Sequence, residues 1–204
     1  MFDFKNFDFE EEIEMVKKLE GQERGSDLIF LIEYIKRKKG EDGYKKVKNL
    51  LKQYGINLPD VEEINKMDWI SVVLTTSFML GSVKSFGWEK EDIIKMGKAA
   101  VSLNFTVKLF FKYFLSAEKT LKKAANNWHQ YFTFGKVEVI DYNEKERNVK
   151  VRLKDFKRHK IICYYFLGLF GQIIQVSTGS KQIQGEETKC VFEGSDYHEY
   201  LFQW

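Results

Sequence analysis

Residues 136–153 read KVEVIDYNEKERNVKVRL. Val137 and Val139 alternate with polar neighbours, and so do Val149, Val151 and Leu153. A period of two puts each set on one face of a strand. The polar run Asn143-Glu144-Lys145-Glu146 lies between them, so the stretch predicts a β-hairpin. The next segment returns to helical period, with Ile162, Phe166, Leu169, Phe170 and Ile173 on one face. Two further strands are expected near 181–192 and 196–204, turned by Gly194-Ser195. Everything upstream, from residue 9, reads as helix. The expected fold is therefore α+β in one domain. An N-terminal helical bundle, 1–134, precedes a C-terminal ββαββ unit, 135–204, with a four-stranded antiparallel sheet.

Within the helical part, Leu28, Leu31, Ile32 and Ile35 form an apolar stripe that runs into Lys36-Arg37-Lys38-Lys39 and Gly40. Cations complement the C-terminal end of a helix dipole, and glycine ends the helix. That basic run is thus helix chemistry, not a nucleic-acid patch. From Trp69 to Phe86 apolar residues lie almost all round, which predicts a central buried helix. The segment from Phe105 to Leu115 is rich in rings, and Leu121, Ala125, Trp128 and Phe132 form a further stripe. Gly168 and Gly171 on the last helix imply close approach to another backbone.

Composition narrows the function classes. A net charge of +3 over 204 residues is too weak to imply nucleic acid. Two cysteines do not make a disulfide framework, so a reducing cytoplasm is expected. The acidic, amphipathic N-terminus is not a signal peptide. No run reaches the length of a membrane span, Lys84, Lys108 and Lys112 breaking the longest. No phosphate-binding glycine loop, HExxH or GxSxG elbow is present, and no catalytic residues are expected.

Two sets of residues could hold a ligand. If the last hairpin turns about Gly194, Cys190 and His198 lie across from each other at about 5 Å, close enough to share a metal. Cys163 on the apolar face of the preceding helix and Glu187 could join them, with zinc as the candidate ion. The alternative is two buried thiols acting as small hydrophobes and a histidine facing solvent. The second set is His129 with its aromatic neighbours, a position from which an imidazole could ligate haem iron.

The order of elements resembles the ligand-binding domain shared by 4-vinyl reductase-type domains, haem–nitric-oxide-binding (H-NOX) domains and Golgi transport tethering subunits. The 4-vinyl reductase pattern is carried by Cys163-Tyr164-Tyr165-Phe166-Leu167-Gly168, Glu187-Thr188-Lys189-Cys190, Gly194-Ser195-Asp196 and Tyr200-Leu201-Phe202, with His198 where the pattern has a third cysteine. His129 lies where H-NOX domains carry their haem histidine. Their Tyr-x-Ser-x-Arg motif is replaced by Phe156-Lys157-Arg158-His159-Lys160. On that ground haem is not expected, although Arg158 and Lys160 could meet a carboxylate. The resemblance implies a small-molecule-binding or sensory module without catalysis. Its apolar ligand would sit against Phe110, Phe111, Phe114, Trp128, His129 and Phe132. The alternatives are a haem-based gas sensor using His129 and a dimerisation module, with Tyr197–Trp204 as an exposed aromatic strand for a homodimer partner.

Overall fold

A computed structural model describes residues 2–103 and 117–204. Helix α1 (Phe9–Val16) starts at Asp8, whose carboxylate accepts from the backbone N–H groups of Glu10 and Glu11. It buries Phe9, Ile13 and Val16. Strand β1 (Gln22–Arg24) pairs antiparallel with β2 (Trp69–Ser71). Between them runs α2 (Gly25–Gln53), broken where Gly40 takes φ +74°. The glycine that the basic run led up to thus ends one helical stretch and lets another begin at a new angle.

Helix α3 (Val72–Phe86) is apolar all round and buried from Thr75 to Val83. It begins three residues later than its apolar run, because Trp69–Ser71 is taken by the ribbon with β1. Helices α4 (Lys90–Leu103) and α5 (Ala117–Asn126) come next, the latter burying Thr120, Leu121 and Ala125.

The C-terminal unit is ββαββ, as the alternation predicts. Strands β3 (Lys136–Asn143), β4 (Asn148–Lys154), β5 (Gln184–Lys189) and β6 (Tyr197–Gln203) form one antiparallel sheet in the order β3-β4-β6-β5. Helix α6 (Lys160–Thr178) lies across it. In register, Val149, Val151 and Leu153 face Phe202, Tyr200 and His198, and all six are buried. Strand β6 is therefore central. The expectation of an exposed aromatic strand at Tyr197–Trp204 is corrected: both edges of β6 are hydrogen-bonded, and Tyr200 and Phe202 fill the core.

Helix α6 also passes, by length and composition, the test for a membrane span that no run was expected to pass. Its apolar character has another source here, since it is covered by α4 on one side and the sheet on the other. Two glycines make the first contact. A Cβ on Gly168 would fall 2.0 Å from the Ile94 carbonyl oxygen, and one on Gly97 would fall 2.0 Å from that of Tyr165. The backbones approach as the sequence implied at Gly168. Gly171 instead faces the Phe202 ring.

The two halves are joined by a buried ion pair. Arg158, just before α6, donates to both carboxylate oxygens of Glu23 on β1 at 3.0 Å. It also donates to Thr76 Oγ1 at 2.6 Å, to the Val72 carbonyl at 3.1 Å and to Thr75. The side chains of Arg158 and Glu23 are only 2% and 4% exposed. Arg158 does meet a carboxylate, but it is the protein's own.

Candidate metal centre and ligand-binding interior

Cys163, Glu187, Cys190 and His198 converge from four positions in the fold. Cys163 is on the first turn of α6, Glu187 on β5, Cys190 immediately after β5, and His198 on β6. One ligand atom from each lies within 4.8 Å of all the others. Cys163 Sγ is 4.0 Å from Cys190 Sγ and 3.6 Å from His198 Nδ1. Glu187 Oε1 is 2.8 Å from the same Nδ1. Both cysteines and the histidine are buried, so the alternative of a solvent-facing histidine is set aside. The predicted trio comes together with Glu187 as a fourth member. The bulge after Glu187 in the β5–β6 pairing places Cys190 at the end of the strand, turned toward α6.

Lys160, at the start of α6, closes the cluster. Its Nζ lies 3.0 Å from each of Glu187 Oε2, Cys190 Sγ and Glu193 Oε1. Burial works against its charge, but the bonds to Cys190, Glu187 and Glu193 outweigh it and hold the ammonium protonated well above the usual lysine range. The hydrogen bond from Cys163, against the cost of burial and with help from Lys160, brings the Cys190 thiol down to about 6. Giving that hydrogen bond, together with burial, pushes Cys163 up. Glu187 is partly buried, yet His198 and Lys160 hold its carboxyl below the ordinary value.

The interior between helices and sheet is aromatic. Trp128 stacks on Phe132 with centroids 4.3 Å apart, and Phe134 stacks on Phe156 at 4.7 Å. Phe156 and Phe166 meet at 5.3 Å, and so do Phe166 and Phe170. Trp128 Nε1 donates to the Phe134 carbonyl at 2.9 Å, which satisfies its polar edge. Trp128 and Phe132 are thus brought together as expected. His129 sits between them in sequence on a one-turn 3-10 helix, Trp128–Gln130, and its side chain is exposed. Phe110, Phe111 and Phe114 lie outside the described residues. An open cleft of about 630 Å³ abuts this stack, walled by Phe134 and Phe156 and rimmed by Glu20, Asp155, Lys157 and Asp196.

Neither a family model nor a curated protein sequence matches the chain. Solved structures do. An H-NOX protein from S. oneidensis in the Fe(II)NO ligation state superposes with a TM-score of 0.65 at 12% identity, over 88% of this chain and 98% of that one. The chain has the H-NOX fold. An oxygen-binding H-NOX domain related to soluble guanylate cyclases gives 0.62 at 14% identity, over 88% and 94% of the two chains. A structure from work on haem distortion in the H-NOX family gives 0.64 at 16% identity, over 89% and 94%.

These neighbours correct one expectation. The absence of the Tyr-x-Ser-x-Arg motif argues against haem, yet the fold is one that carries haem in proteins it superposes on. The physical reason is that a short motif supplies one set of contacts to a cofactor's edge. The fold itself comes from the packing of whole elements, and that is what this chain shares with them at 10–16% identity. In the arrangement seen here, Trp128 and Phe132 point inward and His129 outward. A haem bound by His129 from within needs the 3-10 turn to reverse that order. The local resemblance to 4-vinyl reductase-type domains has no counterpart among these neighbours.

The sequence reading missed the partners of Arg158. Glu23 lies 135 residues upstream, and nothing local marks it as the carboxylate Arg158 would find.

Proposed function

We propose that this chain is a small-molecule-binding, sensory module that holds an apolar ligand between its helices and its sheet, without catalysis. The carrying observation is that the H-NOX fold extends over nearly the whole chain, helical part and sheet together, with an aromatic lining at their junction. Ligand sites favour such junctions, where apolar walls carry a few polar groups. A reducing compartment such as the cytoplasm suits the two free thiols 4.0 Å apart. Native mass spectrometry of the purified protein, set against the denatured chain, tests the reading. A bound mass that disappears on denaturation and in Trp128→Ala supports it. Bare protein in the native spectrum, with tryptophan fluorescence indifferent to a panel of acyl chains and aromatic heterocycles, refutes it.

A second reading is a haem-based gas sensor using His129. It is favoured by the haem proteins among the structural neighbours and by the place of His129 at the junction of helices and sheet. Titration with haem decides it. A Soret band that shifts in His129→Ala supports coordination by that residue, and a band unchanged in the variant rules it out. The dimerisation reading loses the surface that motivated it, since β6 is central and buried.

A further inference from the structure

We infer that the ligand of the interior is an apolar amine, bound as its cation, with its nitrogen on the carboxyl of Asp27. The inference rests on the ligand-binding reading above and names the class of that ligand.

Glu23 and Arg158 cancel each other's charge. Arg158 meets both Glu23 oxygens at 3.0 Å and also donates to Thr76 Oγ1, Thr75 and the Val72 carbonyl. All three of its nitrogens are engaged, and none of these bonds goes to Asp27. Asp27, in the first turn of α2, brings a second carboxyl to the same interior. Its Oδ2 is shut off from solvent and has no hydrogen-bond partner among the described residues. Helix chemistry does not explain it: an acid at a helix start ordinarily accepts a backbone N–H, and this oxygen accepts none. Ionised and alone, it would leave an uncompensated negative charge inside the protein, which is strongly disfavoured. Burial first, then the Glu23 charge, raise the carboxyl well above its ordinary value, and Arg158 offsets them only in part. Without a ligand it therefore keeps its proton where an ordinary carboxyl has lost it.

Asp27 also looks into the ligand-binding interior. It is set deep in the fold, yet the residue is only half-buried, so the surface it keeps is an internal one. Among the described residues, the charged and titratable groups that act on Asp27 or feel it are Glu23 on β1, Arg158 before α6, Tyr165 on α6 and Tyr131 after the 3-10 turn. Tyr131 and Tyr165 are the chain neighbours of Phe132 and Phe166, two rings of the aromatic lining. Apolar walls with one polar group at their end fix a ligand's orientation through that group.

Charge selects the ligand. An alcohol or an amide offers Asp27 a hydrogen bond but no charge, so the carboxyl keeps its proton. A carboxylate would bring a like charge beside Glu23 and Asp27. An ammonium supplies the missing cation. Asp27 releases its proton to solvent, the ammonium keeps its own, and each carboxylate then has a positive partner. The apolar body of the amine lies against the rings, whose faces also attract a cation.

The test uses the full chain with phenylbutylamine and its neutral isostere phenylbutanol, followed by tryptophan fluorescence and calorimetry. At neutral pH the amine should bind about tenfold or more tightly than the alcohol, the scale of a hydrogen bond between charged groups. Asp27→Asn, with its fold checked by circular dichroism, should abolish that preference and leave the alcohol's affinity unchanged. In wild-type protein, amine binding should release about one proton, read from the dependence of the heat on the buffer, and should tighten as pH rises from acid toward neutral. Alcohol binding should do neither. These wild-type readings decide the matter should the variant not fold. Equal affinity for amine and alcohol, a preference that persists in Asp27→Asn, or amine binding without proton release overturns the inference and leaves the ligand-binding reading standing. Failure of both compounds to bind overturns it too, and the native mass spectrum then separately decides the wider reading.

Discussion

Arg158→Ala removes the strap between the two halves of the fold. The guanidinium lies 3.0 Å from both oxygens of Glu23 and also serves Thr75, Thr76 and the Val72 carbonyl. With side chains 2% and 4% exposed, neither member of the pair has water to fall back on. Truncating one partner of such a pair costs about 3–5 kcal/mol, because the other charge stays buried and uncompensated. In a chain of this length each kcal/mol moves Tm by about 2–4 °C, so the melt should fall by roughly 6–20 °C. Urea unfolding tracked by circular dichroism gives the free energy, and calorimetry the midpoint. A double-mutant cycle with Glu23→Gln separates the pair from its surroundings. Glu23→Gln/Arg158→Ala should be less destabilised than the two single losses added, by about 2 kcal/mol or more, since the double variant leaves no orphaned charge. A loss below about 1 kcal/mol for Arg158→Ala, the scale of an exposed pair, would refute the buried strap, and so would strict additivity in the cycle.

Three further outcomes rest on the same structure. Gly168→Ala should destabilise by about 1–3 kcal/mol or more in thermal melts, because its Cβ would meet the Ile94 carbonyl at 2.0 Å, whereas Gly171→Ala meets only the Phe202 ring at 3.3 Å and should cost far less; helix propensity alone favours alanine at both, so a gain at 168 would sink the α4–α6 contact. Burial, with the Glu23 charge added, holds the Asp27 carboxyl well above its ordinary value, and its Oδ2 is buried without a hydrogen-bond partner among the described residues. The folded chain therefore keeps a proton that the unfolded chain releases near pH 4, and that contribution, complete below about pH 4, is lost as pH rises toward the folded value. Asp27→Asn should flatten the fall of Tm from pH 4 to pH 8, and parallel profiles for the two proteins would count against it. Trp128→Ala should cost about 3–5 kcal/mol in urea unfolding, since it empties the centre of the ring stack and frees the Phe134 carbonyl, and a cost under about 1 kcal/mol would place that ring outside the core.

Much of the fold was legible locally. Alternation at Val137–Val139 and Val149–Leu153, and the polar turn between them, are properties of neighbouring residues, and they specified the first hairpin, though not its register, which shifts at a bulge between Val139 and Asp141. The all-round apolar run announced the central helix α3, but not that its first three residues would pair with β1, because strand pairing depends on a segment some forty-seven residues upstream. The metal candidates were legible in part. A turn at Gly194 put Cys190 and His198 near each other, and the apolar face of α6 supplied Cys163.

What the sequence by itself determined is the kind of the long elements, since 2-residue and 3.6-residue periods are written in adjacent side chains; the short β1–β2 ribbon and the burial of β6 it did not determine. It did not say which way His129 turns or which carboxylate answers Arg158. Those depend on how α4, α6 and the sheet close on one another. Contacts between residues 23 and 158, or 163 and 198, exist only after that closure, when burial makes each charge and each lone pair find its partner.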